Sequence, residues 1–333
     1  MKPITRRQFL KWMSAAAGGA LLWSSGCAER TALPVQNTPT PAATAAAVAT
    51  SAPQEKLAET STPASAADLS VVHGPDPAAI TKTAIAALGG MERFVKPGQT
   101  VVIKPNICVD YHTYEYAATT NPDVVGALVT LCLQAGAKKV KVMDMPFGGT
   151  PESAYAISGI SDAVRAAGGE MEVMSALFFE EMDFPEGKDI KRWAVYRGAL
   201  DADVLIDVPI AKNHSMAKLT LGGKNLLGLI RNPNQIHRNM GQRVADLVSL
   251  FRPDLTVIDA VRILLDNGPT GGNLNDVKKM DTVIASGDIV AADSYATTLF
   301  GMSGDQISYI KAAAAMGLGT LDLSSLKIEE VSI

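Results

Sequence analysis

Short runs of apolar and β-branched residues recur from residue 69 onward, and stretches with helical periodicity separate them. Near-continuous apolar runs are typical of strands that are buried on both faces. Their alternation with helices is the pattern of βαβ units and predicts a mainly parallel sheet. The predicted strands are Leu69–His73, Thr100–Lys104, Lys139–Met143, Glu170–Met174, Val204–Val208, Leu255–Asp259 and Thr282–Ala285.

The clearest helix start lies at Asn121. Asparagine is a favoured N-cap residue, Pro122 occupies the first helical position, and an apolar face continues to Ala135 and Gly136. Similar signals predict helices over 76–88, 151–167, 241–251, 288–300 and 304–316. We therefore expect one α/β domain over residues 69–333, with helices on both faces of the sheet in a Rossmann-like layering.

The first 27 residues have the layout of an export signal. Arg6 and Arg7 precede an apolar run from residue 12 to 23, which is too short to span a bilayer unaided. The paired arginines resemble the twin-arginine export signal. Ser24-Ser25-Gly26-Cys27 resembles a lipoprotein cleavage box, although Ser24 stands where leucine is usual. These features predict recognition by the twin-arginine machinery and lipidation at Cys27; the alternative is ordinary cleavage and a soluble product.

Residues 28–68 are dominated by Ala, Thr, Pro and Ser and show no sustained hydrophobic period. Such a segment cannot bury enough apolar surface to fold, so we expect a disordered tether. After a lipidated cysteine, the tether would hold the domain near a membrane, with the lipid as its only membrane contact. The predicted location is the extracytoplasmic face of the cell membrane or, without the anchor, the periplasm.

Composition narrows the function. The formal net charge is −4, aromatic residues make up 5% of the chain, and no patch interleaves basic and aromatic residues, which argues against a nucleic-acid partner. The three cysteines lack the spacing of zinc or iron–sulfur ligands. We expect no iron–sulfur cluster, and we expect Cys108 and Cys132 to be small buried apolar residues.

Polar residues stand at or just past the end of several predicted strands. In open parallel sheets ligands bind at the carboxyl ends of the strands, so these residues are candidates for a site. Each alone is also explained as a turn residue, a helix cap or a surface charge. The residues are Lys104, Asn106, Asp144, Lys212, Asn213, His214, Asp259 and Asp288.

Taken in order, several short motifs resemble the domain of unknown function 362 family over about residues 70 to 330. They are Lys104-Pro105-Asn106, Thr120-Asn121-Pro122, Lys212-x-His214, Thr220-x-x-x-Lys224-Asn225-x-x-Gly228, His237, Asp259-Ala260, Gly268-Pro269 with Gly271-Gly272, and Asp288 to Asp293. Many members of that family carry ferredoxin-type cysteine clusters, which this chain does not. The resemblance implies the fold and a set of site residues but no reaction.

The segment from His214 to His237 is also similar in layout to the catalytic segment of the nickel-pincer lactate racemase family. That likeness implies that Lys224 tethers the organometallic cofactor, that His237 ligates nickel, and that His214 exchanges a substrate proton, with His112 as a partner base. Two departures stand against it. The glycines abut Lys224 directly, and Leu227-Gly228 replaces the Pro-Gly of that family.

The residues of segment 211–230 allow two interpretations. Gly222-Gly223-Lys224 lacks the earlier glycine and the following Ser or Thr of a phosphate-binding loop. Its glycines would still let backbone amides at a helix start approach an anion, with Lys212 and Lys224 beside them. Lys104, Asn106 and Asn225 complete the predicted anion site. Alternatively, the lysines extend from a half-buried helix toward solvent and Asn225 caps that helix.

The histidines allow two roles as well. His214 and His237, with Asp259 or Asp144, would suit a divalent transition metal, although no HxH or HExxH spacing is present. Either histidine is alternatively a general base near neutral pH. Asp288 is expected to cap a helix, and Asp293 to face the sheet edge and pair with a lysine. The loop over 266–273 would close over a ligand or be a plain connection.

These observations favour a small-molecule enzyme that acts on an anionic, carboxylate-bearing substrate, with His214, His237 and Lys224 as catalytic residues. A metal or organometallic cofactor is compatible with this hypothesis. The rival hypotheses are a non-catalytic ligand-binding lipoprotein and an assembly factor for a redox enzyme. Export in a folded state mildly favours a protein that carries a cofactor.

Overall fold

The computed structural model describes residues 66–333. The predicted signal over 1–27, including Arg6, Arg7 and Cys27, lies outside these residues, as does most of the predicted tether. Its last three residues, 66–68, already belong to the fold. Ala67 is fully buried and its N–H donates to the Ala87 carbonyl at 3.0 Å. Within residues 66–333, no helix is both long enough and apolar enough to cross a bilayer.

A ten-stranded sheet forms the centre of the fold, with a separate two-stranded hairpin. The strands are β1 (Leu69–His73), β2 (Thr100–Pro105), β3 (Lys139–Val142), β4 (Glu170–Met171), β5 (Phe179–Asp183), β6 (Arg192–Tyr196), β7 (Val204–Val208), β8 (Ile210–His214), β9 (Lys218–Thr220), β10 (Leu255–Leu264), β11 (Val277–Ser286) and β12 (Ile328–Ser332). The main path runs β12-β1-β11-β10-β7-β2-β3-β4, and β8 and β9 extend from β10. β11 is antiparallel to β1 and β10, and β9 is antiparallel to β8; the other pairs in this sheet are parallel.

The α-helices are α1 (Pro77–Ala87), α2 (Pro122–Gln134), α3 (Pro151–Ile157), α4 (Ile160–Ala166), α5 (Arg197–Asp201), α6 (Gly222–Asn225), α7 (Met240–Phe251), α8 (Ile289–Thr297) and α9 (Ser308–Ala315). Short 3₁₀ helices cover Met91–Arg93, Tyr114–Tyr116, Ala176–Phe178, Leu226–Leu229, Pro233–Asn239, Leu274–Asp276, Thr298–Phe300, Gly304–Gln306 and Leu323–Ser325. The predicted N-cap is confirmed, since the Asn121 side chain accepts from the Asp123 N–H at 2.9 Å.

The sheet buries both of its faces. Successive side chains of a strand point to opposite faces, so Val101 and Ile103 of β2 pack with α1, α2 and α4, while Val102 packs with α7, α8 and α9. The side chains of β7 alternate between the two faces in the same way, and Leu205 lies on the face that packs with α7, α8 and α9. The predicted mainly parallel sheet with helices on both faces is therefore confirmed.

Several predicted boundaries were wrong for identifiable reasons. The predicted helix over 151–167 is two helices, because Gly159 adopts a left-handed conformation with φ of 76° between them. β10 and β11 extend beyond their apolar cores and pair as a long antiparallel ladder, with a register shift between Ala260 and Arg262. Residues 210–214, predicted as a loop, form β8, which pairs with β9 so that Lys212 faces Thr220 and His214 faces Lys218.

Candidate functional site

A cavity opens where β2, β3 and β8 end and segment 222–237 crosses over them. Its volume is about 140 Å³, below the range of about 300–1,000 Å³ that is usual for drug-sized ligands, so only a small molecule would fit inside it. Its walls are formed by Lys104, Asn106, Ile107, Cys108, Asp144, Met145, Pro146, Phe147, Lys212, His214, Thr220, Lys224, Asn225, Leu227, Gly228, Pro233, Asn234, His237 and Pro269. The structure thus brings together every predicted catalytic and anion-binding residue of the domain.

Lys104 is fully satisfied by the protein itself. Its ammonium group lies 2.7 Å from Asp144 Oδ1 and donates to Asn225 Oδ1 at 2.9 Å and to the Pro105 carbonyl at 2.8 Å. Both charged side chains are almost wholly buried, at 1% and 3% exposure. Burial raises the pKa of Asp144, while Lys104 and the Ile107 and Met145 amides act in the opposite direction. Lys104 therefore holds the site together and has no free hydrogen for a ligand.

Lys212 is a buried cation with neutral acceptors. Its ammonium donates to Asn106 Oδ1 at 2.9 Å and to the carbonyls of Ala118 at 2.6 Å and Pro269 at 2.9 Å. Burial lowers its pKa. The contact to Pro269 attaches the loop over 266–273 to the cavity wall, and Pro269 is the loop residue that lines the cavity. All three hydrogens of the Lys212 ammonium are donated to these acceptors, so Lys212 would act on a ligand through its charge alone.

Lys224 differs from both. It is 8% exposed and lines the cavity, yet within residues 66–333 its ammonium has no hydrogen bond or ion pair. Burial, followed by the charge of Lys212, lowers its pKa to about 8. A buried ammonium normally requires an acceptor. Lys224 is therefore the side chain of the cavity that is positioned to pair with an anionic ligand.

The motif Lys224-Asn225-x-x-Gly228 has a structural explanation. Asn225 accepts from Lys104 and from Asn106 Nδ2 at 2.9 Å, and it donates to Asp207 Oδ1 at 2.8 Å. A side chain at Gly228 would overlap Asp144 and come within 2.9 Å of Lys104 Nζ. Asn225 therefore links three parts of the site, and glycine at 228 leaves space for the buried ion pair.

The predicted anion site at a helix N-terminus was wrong. Helix α6 spans only four residues, and its first two amides already have an acceptor in Asp293. Gly222 N–H donates to Asp293 Oδ1 at 2.7 Å and Gly223 N–H donates to Oδ2 at 2.9 Å. Asp293 thus pairs with these amides, where the sequence predicted a lysine; burial raises its pKa to about 7. Asp288 caps α8 as predicted, accepting from Val290 and Ala291.

The hydrogen bonds of His214 fix its tautomer. Nδ1 accepts from the backbone N–H groups of Met216 at 3.1 Å and Ala217 at 3.3 Å, so in the neutral ring the proton is on Nε2. Burial first, then Lys224, lowers its pKa to about 3. Neutral His214 is therefore a hydrogen-bond donor to a ligand. It has no lone pair available for the base or metal-ligand roles that the sequence suggested.

His237 is the more suitable base. Its ring centroid lies 6.4 Å from that of His214, and neither of its ring nitrogens has a hydrogen bond within the described part of the chain. Burial and then the charge of Lys224 lower its pKa, which keeps the ring neutral near pH 7. A half-buried neutral imidazole at a cavity wall can accept a proton from a bound molecule.

The predicted metal set does not assemble. Asp259 is absent from the cavity wall; its two oxygens accept from the Asn121 N–H at 2.7 Å and the Val261 N–H at 2.9 Å. Across residues 66–333, no group of three His, Cys, Asp or Glu side chains is arranged to hold a metal ion. His112, the suggested partner base, also lies outside the cavity wall and stacks on Tyr116 at 4.4 Å. The residues present therefore do not fit a metal bound by His214, His237 and Asp259.

The same test applies to the nickel-pincer cofactor. Lys224 and His237 both line the cavity, but the tautomer of His214 does not fit the proton-exchanging role that the racemase likeness assigned to it. The residues present therefore do not fit this cofactor in the roles that the likeness implies.

Sequence reasoning missed two residues of the site. Cys108 was predicted to be a small buried apolar residue; it is buried, at 5% exposure, but it also lines the cavity. Asp207 lies within β7, fully buried, and holds Asn225 through Oδ1, while its Oδ2 has no hydrogen bond to any described residue. Cys108 lies just past the end of β2, and this position could have identified it as a candidate site residue. Asp207 gave no such signal, because it lies inside an apolar strand.

Comparisons with known proteins identify a family and a relative. The family model described as domain of unknown function (DUF362) matches residues 101–298. Thylakoid-associated protein sll1697 of Synechocystis sp. is 27% identical over 252 residues, which cover 71% of this chain and 74% of that protein.

Two solved structures are more distant. The lactate racemase apoprotein from Thermoanaerobacterium thermosaccharolyticum aligns with a TM-score of 0.39 and 12% identity, over 74% of this chain and 56% of that chain. A protein from Thermotoga maritima aligns with a TM-score of 0.37 and 13% identity, over 68% of this chain and 60% of that chain. At these scores neither alignment bears on function. The family model covers more than half of the chain, which therefore belongs to the DUF362 family.

Proposed function

We propose that the cavity binds a small molecule through a carboxylate group and that the protein is an enzyme acting on that molecule. The observation that carries the proposal is Lys224, a buried ammonium that lines the cavity without an acceptor in residues 66–333. Lys104 and Lys212, its two neighbours of the same type, are each held by three oxygens of the protein.

The charges around the cavity support an anionic ligand. Among the described residues, Asp144 is the one carboxylate in the wall, and it is paired with Lys104. Lys212 and Lys224 thus share a low-dielectric site without a matching anion. Buried charges are normally compensated, so a bound carboxylate would relieve both. Pairing with Lys224 would be direct, and Lys212 would contribute through its field.

The remaining polar groups suggest how such a ligand would react. The Nε2–H of His214 can donate to a ligand oxygen, and His237 can remove a proton from the ligand. Met145, Phe147 and Leu227 provide an apolar side to the cavity. The proposed substrate is therefore a small carboxylate with an apolar part and a removable proton.

Calorimetric titration with matched carboxylates and neutral amides tests the binding step. The wild type is expected to prefer each carboxylate by at least about tenfold, which corresponds to about 1.4 kcal/mol. Lys224→Met is expected to lose that preference. Lys278→Met, which removes an equal charge from an exposed position of β11, should keep it. Equal affinity for carboxylates and amides in the wild type would refute the proposal.

Hydrogen–deuterium exchange of bound carboxylates in D₂O tests catalysis separately. Exchange at carbon in the wild type that is lost in His237→Asn supports an enzyme with His237 as base. Carboxylate binding without exchange or turnover would instead support the non-catalytic binding lipoprotein.

We further propose that the protein is exported and held at a membrane by a lipid on Cys27. The paired Arg6 and Arg7 and the box ending at Cys27 support this, and a relative carries the description thylakoid-associated. Metabolic labelling with a fatty acid should label the wild type and not Cys27→Ser. Replacement of both arginines by lysine should keep the protein inside the cell. An unlabelled wild type would contradict the anchor, and export of the lysine variant would contradict the signal.

A further inference from the structure

Cys108 is a thiol in the wall of the same cavity. It follows β2, its N–H donates to Thr119 Oγ1 at 3.1 Å, and its sulfur lies 3.5 Å from the Pro269 carbonyl oxygen. The residue is 5% exposed. It is thus held from both sides, while the cavity gives small molecules access to it.

The sulfur has a cation beside it. The Pro269 carbonyl oxygen accepts from the Cys108 thiol at 3.5 Å and from Lys212 Nζ at 2.9 Å, so the sulfur and the ammonium are neighbours around one acceptor. Burial lowers the pKa of Lys212 and of Lys224, whereas the nearby Cys108 sulfur raises the pKa of both lysines. Neighbouring cations stabilise a thiolate, which is the nucleophilic form of cysteine.

We propose that Cys108 is a nucleophile that bonds covalently to an electrophilic carbon of the anionic ligand held by Lys224. This inference rests on the proposed carboxylate site and names the class of ligand, a carboxylate with an electrophilic carbon. Lys224 is the independent sign of a ligand, since it is more than nine-tenths buried in the cavity wall and lacks an acceptor among the described residues.

The step is a substitution at carbon. The Cys108 sulfur donates an electron pair to form an S–C bond, and the bond from that carbon to its leaving group breaks. The leaving group departs with the bonding pair, and the thiol proton passes to water. Lys212 lies beside the sulfur and would stabilise negative charge on it as the thiol proton leaves, and Lys224 holds the carboxylate near the sulfur.

Cys132 is an internal control. It is fully buried in the core beside α1 and β2, where burial raises the pKa of its thiol to about 12. It lies outside the cavity wall. We expect Cys132 to remain unmodified in the folded protein and to react only after denaturation.

Iodoacetate and iodoacetamide test the proposal on the full-length protein, with peptide mapping to locate the alkyl group. They differ by one negative charge. The ratio of the iodoacetate rate to the iodoacetamide rate at Cys108 is expected to exceed the same ratio for glutathione by at least about tenfold. Lys278→Met should keep this excess, and Lys224→Met should reduce it to the glutathione value. In the wild type, a competing unreactive carboxylate should slow the labelling, a readout that needs no variant.

The outcomes separate the two proposals. If carboxylates bind in a Lys224-dependent manner and Cys108 resists both reagents in the folded protein, the nucleophile is refuted and the carboxylate site stands. Both proposals are wrong if two results are found together in the wild type. The ratio of the iodoacetate rate to the iodoacetamide rate at Cys108 would equal that of glutathione, and added carboxylates would not slow the labelling. An iodoacetate excess that survives in Lys224→Met also refutes the inference, because Lys224 would not be holding the anion.

Discussion

Replacement of Lys104 by methionine tests whether the buried ion pair holds the site together. The variant removes the 2.7 Å contact to Asp144 and the donated bonds to Asn225 and Pro105. Asp144, at 3% side-chain exposure, would keep only the Ile107 and Met145 amides. Removing one partner of a buried pair leaves an uncompensated charge and costs about 3–5 kcal/mol. That is a large part of a typical unfolding free energy of about 5–15 kcal/mol.

Urea unfolding followed by circular dichroism would measure this loss. Lys139→Met is the matched control. Lys139 pairs with Glu170 at 2.6 Å, but the two side chains are 38% and 59% exposed. Exposed pairs contribute about 0–1 kcal/mol, so this variant should stay close to the wild type. The loss in Lys104→Met should also shrink at acid pH, because Asp144 can then take up a proton.

A loss of less than about 1 kcal/mol in Lys104→Met, or one no larger than in Lys139→Met, would refute the reasoning. It would mean that Asp144 is already neutral in the native protein or that water reaches it when the lysine is removed.

Three further predictions concern the groups around this pair. Nitrogen NMR should find His214 neutral above about pH 4 with its proton on Nε2, because its pKa is about 3; titration near the usual value of about 6.5 would contradict this. Asp293 has a pKa of about 7 in the folded protein against 3.8 ordinarily, so the stability it contributes should be greatest below about pH 4 and lost as pH rises through about 7. Urea unfolding of the wild type should therefore show a decline in this range that Asp293→Asn lacks, and parallel profiles would contradict it. Gly228→Ala should lower stability by about 3 kcal/mol, since its methyl group would overlap Asp144; Gly126→Ala, whose nearest atom would lie at 3.5 Å, should have little effect, and equal stability of the two variants would contradict the packing argument.

The layered fold could be predicted from the sequence because the signals for it are local. Apolar runs mark β1 and β7 with correct boundaries, and the Asn121 cap marks the start of α2. Strand β8 could not be found in this way. Its polar residues Lys212 and His214 face a cavity, so the segment has the composition of a loop while its backbone pairs with β9 and β10.

Most residues of the cavity wall that carry polar groups could be predicted from the sequence, although Cys108 was missed and Asp259 was wrongly included. The separate roles of these residues could not be predicted. Polar residues past parallel strands meet at one sheet edge, which placed Lys104, Lys212 and Lys224 near each other. Only the contacts show that Lys104 has a carboxylate partner, Lys212 has neutral acceptors, and Lys224 has none among the described residues. Likewise, the tautomer of His214 depends on the turn after β8, where two backbone amides meet Nδ1.

The unpaired ammonium of Lys224 also sets stability against activity. The ammonium of Lys224 is desolvated when the protein folds, which costs free energy of folding. A ligand that binds afterwards is attracted electrostatically without a further desolvation cost for the lysine. We therefore expect this charge to lower the stability of the protein without its ligand. Lys224→Met, which fills the same space with an apolar chain, is therefore expected to unfold at a higher urea concentration than the wild type while losing its ligand. Folding stability and ligand binding therefore make opposite demands on the residue at position 224.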